Sequence, residues 1–328
     1  MKSSIHFSVL GFLWLTYSLL TANGQASGLK VGYYRHTCPQ AEYIVKKTVS
    51  KALEADPTLA APLIRMHFHD CFVRGCDGSI LIDSTPGNRA EKESPANFPS
   101  LRGFEVIDEA KRDIESTCPQ VVSCADIIAF AARDSAYKAG KINWQVPAGR
   151  RDGRISKEEE IIGNLPPPFF NVQQLTDLFA QKGLSQEDMV TLSGAHSIGV
   201  SHCSSFRDRL YNFNNTGLQD PTLDAQLARR LRLTCPPADT PDPTVALEPI
   251  TPTKLDNRYY SQLHRNRGLL TSDQTLLTNP STRTMVNTNI KSPSIWRNKF
   301  GEAMVRMGSI QVSTGSQGEI RRNCRIVL

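Results

Sequence analysis

The sequence predicts a mainly α-helical fold of two lobes braced by disulfides. Apolar residues recur at helical spacing along most of the chain, and strand-like alternation is scarce. All eight cysteines, Cys38, Cys71, Cys76, Cys118, Cys124, Cys203, Cys235 and Cys324, follow a leader-like first segment. Residues 40–55 set Ala41, Ile44, Val45, Val49 and Leu53 on one stripe, and a second helical pattern spans 59–72. Further helices are predicted at 103–115, 124–139, 172–182, 206–211, 224–234, 257–267 and 294–307. Ser185, with Asp188 at the capping-box spacing, opens another that runs into 192–199. Residues 149–168 contain Gly153, Gly163 and the prolines Pro166, Pro167 and Pro168, so they read as an irregular connection between an N-terminal and a C-terminal lobe. Internal repeats and low-complexity tracts are absent.

Residues 1–24 combine Lys2, an apolar core from Val9 to Leu20 and the small or polar Thr21, Ala22, Asn23 and Gly24, the pattern of a secretory signal peptide. The apolar core is shorter than the roughly 20 residues a membrane span requires. The folded domain is therefore expected over 25–328. An even cysteine set in an exported protein reads as four disulfides, although spacing alone leaves about a hundred pairings open. No Cys-x-x-Cys pair or His-x-x-x-His clamp supports zinc. Asn214, in Asn214-Asn215-Thr216, is a candidate glycan acceptor. The net charge of +6, or +5 without Lys2, is dispersed along the chain. That argues against nucleic acid and leaves weak attraction to an anionic polysaccharide.

Chemistry concentrates in RMHFHDCFVRGCDGS, residues 65–79. On a helix, Arg65 and His69 share a face roughly 6 Å apart along the axis. A fixed cation and an imidazole there can converge on one small ligand, with His69 moving protons and Arg65 stabilising negative charge. His67 points elsewhere. Asp70, Asp77 and Ser79 follow as hard oxygen donors. In the second half, His196 lies between small residues in LSGAHSIG, where a flat macrocycle bonded to the imidazole could approach the backbone.

Taken with AEKESPAN (ending at Asn97), RGFEVID, VSCADIIAFAARD, GRRDGR, NLPPPFF, LDNRYY and TSDQ, these motifs resemble the secreted plant-type (class III) haem peroxidases over residues 29–324. The resemblance implies a two-lobed helical fold with one haem b between distal and proximal lobes. It makes His69 the distal acid–base group, Arg65 the charge stabiliser, Phe68 a distal wall and His196 the axial iron ligand. Asn97 is expected to accept the Nδ1 proton of His69, and Asp273 that of His196. Phe169 and Phe170 line the access channel, and the Pro166 carbonyl accepts a bond from a phenol.

The same resemblance implies the pairs Cys38–Cys118, Cys71–Cys76, Cys124–Cys324 and Cys203–Cys235. It also implies two calcium ions. The distal set is Asp70, Asp77 and Ser79, with the carbonyls of Asp70, Val73 and Gly75, and Glu91 added; it is not an EF-hand. The proximal set is Ser197, Glu248, Thr251, the Lys254 carbonyl and Asp256. Glu248 stands where the family has aspartate, and its extra methylene weakens or alters binding there. Ser205 replaces an aromatic that some members place at the haem edge.

The implied reaction is reduction of hydrogen peroxide to water with one-electron oxidation of phenolic donors, by a monomer in the cell wall or apoplast. The chain stops four residues after Cys324, without the longer extension associated with vacuolar delivery. A secreted hydrolase is disfavoured, because no Gly-x-Ser-x-Gly elbow is present. The alternative is a catalytically silent, calcium-binding cell-wall protein on the same fold, against which the intact Arg65, His69, Asn97, His196 and Asp273 argue.

Overall fold

A computed structural model describes residues 28–238 and 240–327, so the expected signal peptide lies outside the described residues. The helices run α1 Ala41–Ala55, α2 Ala60–Phe72, α3 Phe104–Thr117, α4 Cys124–Gly140, α5 Val172–Gln181, α6 Gln186–Ser193, α7 Arg207–Tyr211, α8 Ala225–Thr234, α9 Arg258–Leu263, α10 Thr271–Gln274, α11 Pro280–Lys291 and α12 Pro293–Met307. Two antiparallel clasps complete the framework, β1 Lys30–Val31 with β2 Pro147–Ala148, and β3 Val200–His202 with β4 Thr244–Ala246.

α4 organises the N-terminal lobe. It is apolar around most of its circumference, as a central helix must be, and α1, α2 and α3 pack on it. Ser123 caps it by accepting from the Asp126 N–H. In the C-terminal lobe α6 packs against α5, α11 and α12. One apolar core runs through both lobes, and each fully buried Phe or Leu in it contributes about 1.5–3 kcal/mol. A smaller cluster around Cys203, Phe206, Leu227 and Cys235 underlies α7 and α8.

The four disulfides pair as the resemblance implied, and no cysteine among the described residues is free. Cys38–Cys118 and Cys124–Cys324 close separations of 80 and 200 residues. In the chain-entropy picture each is worth roughly 5 kcal/mol. Cys71–Cys76 instead pins the loop that leaves α2. Within that loop Gly75 has φ +89°, and a Cβ there would lie 2.5 Å from the Gln311 carbonyl oxygen, so only glycine lets the loop lie against the C-terminal segment.

Three elements depart from expectation, the first being the four-residue α10, which carries no periodicity to predict it. The helix predicted at 257–267 ends at Leu263, because the Gln274 side chain bonds the Leu263 carbonyl and the Gly268 N–H. α11 was not anticipated. Its Thr- and Asn-rich sequence carries little apolar periodicity, and the available signal was its start, where Asn279 caps Ser281 and Thr282 ahead of Pro280 at the first turn. The 149–168 connection is irregular as expected, apart from a single 3₁₀ turn at Glu158–Ile161.

Candidate active site

α2 presents Arg65 and His69 to a cavity of 1360 Å³ whose far wall carries His196. The i, i+4 spacing brings the Arg65 Nε–H to His69 Nε2 at 3.0 Å. The remaining guanidinium nitrogens donate to Ser100 Oγ at 2.9 Å and to the Ala96 carbonyl at 2.7 Å, which anchors the cation. His69 Nδ1 meets Asn97 Oδ1 at 2.5 Å, and the Asn97 amide nitrogen donates to the Glu91 carbonyl at 2.6 Å. That second bond turns the Asn97 oxygen toward His69. Because guanidinium can only donate, both contacts require the tautomer with the proton on Nδ1 and an acceptor at Nε2. Burial, reinforced by the Arg65 charge and opposed by the Asn97 bond, holds the His69 pKa well below the usual histidine range. Burial also brings Arg65 down to about 10, still cationic at neutral pH.

His67 turns the other way. It is 2 % exposed, lies 3.6 Å from Cys71 Sγ through Nδ1, and does not line the cavity. Burial, then the Arg150 charge, lowers its pKa to about 3.

On the proximal side, α6 passes into a 3₁₀ turn, Gly194–Ser197, that carries His196. Its Nδ1 lies 2.7 Å from Asp273 Oδ1, leaving Nε2 free, and its side chain is 37 % exposed while that of Asp273 is 3 % exposed. The Leu270 N–H donates to Asp273 Oδ2 at 3.0 Å and the Tyr259 hydroxyl to Oδ1 at 2.9 Å. Burial pushes the Asp273 carboxyl up, but the His196 interaction and these bonds outweigh it and bring it below the usual carboxylate range. Tyr259 was missed in the sequence, because nothing in Tyr259-Tyr260 tells which ring reaches the site. Gly194 also has a different role from the one expected. A Cβ there would lie 2.7 Å from the Tyr260 hydroxyl and 2.8 Å from Trp296, so this glycine admits the helix packing, and Ser193, Ala195 and Gly199 are the small residues of the motif that line the cavity.

Phe68, Pro166, Phe169 and Phe170 line the cavity. Ser205 lines it too, whereas Phe206 is buried in the smaller cluster, so no aromatic replaces the one missing at 205. The cavity exceeds the roughly 300–1,000 Å³ of ordinary ligand pockets. Its walls are mainly apolar, with an unpaired imidazole nitrogen on one side and a proton-handling pair opposite. That donor set and volume fit an iron macrocycle.

Among the described residues no three His, Cys, Asp or Glu side chains form a metal cluster by themselves. Mixed oxygen sets are nevertheless present. Beside His69, the loop gathers Asp70, Asp77, Ser79 and Glu91, all buried, and Asp70 Oδ1, Ser79 Oγ and both Glu91 carboxylate oxygens lack hydrogen-bond partners. Burial and the neighbouring Asp77 charge raise Asp70 well above its ordinary pKa, burial and Asp70 do the same to Glu91, and burial takes Asp77 to about 6. The Ser197, Glu248, Thr251 and Asp256 side chains also come together, but they satisfy one another. Glu248 accepts from the Ile250 N–H at 3.0 Å, the Thr251 N–H at 2.7 Å and the Thr251 hydroxyl at 3.0 Å, while Ser197 Oγ accepts from the Asp256 N–H at 3.1 Å.

Comparison with known proteins agrees with this geometry. The family model described as Peroxidase matches residues 45–292. The chain is 56 % identical over 326 residues to Peroxidase 5 of Vitis vinifera, covering 99 % of each protein. It is 50 % identical over 315 residues to Peroxidase 1 of Zea mays, covering 94 % of this chain and 85 % of that one. To Peroxidase 27 of Arabidopsis thaliana it is 49 % identical over 310 residues, 94 % of both. With the family matched along most of its length and a cavity suited to its cofactor, the chain belongs to the peroxidase family, as a plant class III haem peroxidase.

Proposed function

We propose that peroxide is reduced between α2 and the Gly194–Ser197 turn, with one haem b held by His196 and phenolic donors oxidised at the cavity mouth. Haem, when bound, would supply the redox iron for this chemistry. His69 Nε2 takes the proton of the near peroxide oxygen and returns it to the far one, so that the O–O bond breaks and water leaves. Arg65 stabilises the charge on the departing oxygen. Asn97 keeps the other His69 nitrogen protonated, and Asp273 orients His196 and increases its electron donation. Phe68 walls the distal side, and the Pro166 carbonyl accepts a phenol O–H.

One observation carries this reading. His69 and His196 line the same cavity, and each has Nδ1 tied to an oxygen, at 2.5 and 2.7 Å, which makes Nε2 of His69 an acceptor beside the Arg65 Nε–H and leaves Nε2 of His196 for a ligand. His196→Ala is expected to abolish or greatly weaken haem retention. The check is the absorption spectrum after gel filtration, with His202→Ala added to remove the nearest other imidazole. A wild-type haem spectrum in the double variant would place the ligand elsewhere.

The distal oxygen set is proposed to hold calcium through Asp70, Asp77, Ser79 and Glu91 together with the Asp70, Val73 and Gly75 carbonyls. Its orphaned, buried oxygens support that assignment, because calcium accepts irregular oxygen coordination. Ligation needs ionised carboxylates, so protons compete below a cation-free pKa of about 6 at Asp77. Affinity is therefore expected to be lower at pH 5 than at pH 7, as calorimetric titration at the two values would measure. The proximal set, Ser197, Glu248, Thr251, the Lys254 carbonyl and Asp256, is proposed to bind more weakly. Glu248→Asp is expected to raise calcium affinity there, read as a second ion by metal analysis; an unchanged stoichiometry would count against it.

Secretion to the cell wall or apoplast, with loss of residues 1–24 and a mature domain over 25–328, is part of the same proposal, along with action as a monomer. Four disulfides fit an oxidising compartment. No helix among the described residues is long and apolar enough to cross a membrane. Asn214 is exposed, as a glycan acceptor must be, and the dispersed positive charge suits weak adhesion to anionic polysaccharide.

A further inference from the structure

Two donors share one oxygen of Asp273. His196 Nδ1 lies 2.7 Å from Oδ1, and the Tyr259 hydroxyl donates to that same atom at 2.9 Å. Tyr259, the second residue of α9, is 3 % exposed, and its ring stands nearly perpendicular to that of His196 with centroids 6.1 Å apart. Charge-assisted bonds of this kind are stronger than neutral ones, and with Asp273 and Tyr259 both buried, two donors on one carboxylate oxygen compete for the same electron density. A phenylalanine at 259 could keep the ring contact with Tyr260, whose centroid is 5.0 Å away. The hydroxyl therefore serves Asp273 rather than the packing.

We infer that Tyr259 tunes how strongly Asp273 draws the Nδ1 proton of His196, and thereby how much electron density His196 donates to the iron. Tyr259 is a positioning residue, since it acts through Asp273 and touches neither substrate nor haem. The inference rests on the assignment of His196 as axial ligand. Without the Tyr259 bond, Asp273 attracts the His196 proton more fully, the imidazole becomes more anionic, and the ferric state gains over the ferrous.

The test uses the full-length haem-loaded protein and two readouts, the ferric/ferrous midpoint potential and the iron–histidine stretching band of the reduced form. Tyr259→Phe is expected to lower the potential by the equivalent of about two- to tenfold in the oxidised-to-reduced ratio, tenfold being 59 mV for one electron, and to raise the stretching frequency. Asp273→Asn should shift both readouts the opposite way, and adding Tyr259→Phe to it should then have little further effect, because the two act in one chain. A Tyr259→Phe protein with unchanged potential and band, beside an Asp273→Asn protein that moves both, overturns the tuning role and leaves the axial assignment standing. If neither variant moves them, the axial assignment falls and the inference with it. A Tyr259→Phe shift that persists in full on the Asp273→Asn background overturns the route through Asp273. Should Tyr259→Phe fail to retain haem, 3-fluorotyrosine at 259 supplies a stronger donor. It should raise the potential, and no change would overturn the inference.

Discussion

His69→Ala is expected to keep its haem and to react with peroxide several orders of magnitude more slowly than wild type. Loss of a single acid–base group costs roughly 10²–10⁴-fold, and here both proton transfers are proposed to pass through one nitrogen, which places the effect at or above the top of that range. Retention of haem follows because the bonds that His196 Nδ1 and the Leu270 N–H make to the Asp273 carboxylate do not involve α2. His67→Ala supplies the contrast. Its ring is buried against Cys71 and away from the cavity, so truncation leaves a void worth about 2–4 kcal/mol of stability, with a near-normal rate. Stopped-flow spectra of both variants separate the two effects. A near-normal rate in folded His69→Ala, or a collapse confined to His67→Ala, would reverse the distal assignment.

Calcium removal is expected to lower stability and peroxide reactivity together. An ion held at about a thousand times its dissociation constant adds about 4 kcal/mol by mass action, which for a domain of this size corresponds to a melting shift of about 6 °C. The coupling to activity has a specific route. Asp70 follows His69 directly at the end of α2, and the Glu91 backbone carbonyl holds the Asn97 amide that orients His69. Without the cation, the buried carboxylates repel one another and both supports of His69 loosen. The raised carboxyl pKa values also give a pH dependence. The cation-free folded protein binds protons that the unfolded chain has released between the ordinary aspartate pKa of about 4 and the folded value of about 6. Cation-free stability therefore falls as pH rises through that interval, and the stabilisation by calcium should be larger at pH 7 than at pH 5. Thermal melts with and without chelator, with metal content verified, would show this; extracted protein with unchanged melting and rate would refute the structural role.

How much was legible in advance depended on whether the signal was local. The i, i+4 relation of Arg65 and His69 is a property of one helix, and the opposite orientation of His67 follows from the same geometry. The cap of α6, at Ser185, is likewise local. Asn97, Asp273 and the disulfide pairs join segments far apart in the chain, so the residues alone left them open and the family resemblance supplied them. Tyr259 escaped because a donor to a shared carboxylate oxygen is defined only once α9 and α10 are packed. Gly194 was given a local reason, room for a macrocycle, when the actual constraint comes from Tyr260 and Trp296, more than sixty residues further on. α11 was missed because its apolar residues are sparse and its stability comes from the helices around it rather than from its own periodicity.

His69 and His196 face one cavity, which is proposed to bind haem and reduce peroxide. The most direct test is the absorption spectrum of the purified, haem- and calcium-loaded protein during titration with hydrogen peroxide. The expected result is a Soret band that shifts on addition and saturates near one equivalent, then returns as a phenolic donor is supplied. A folded protein that takes up no haem, or a Soret band that peroxide leaves unmoved, would contradict the claim.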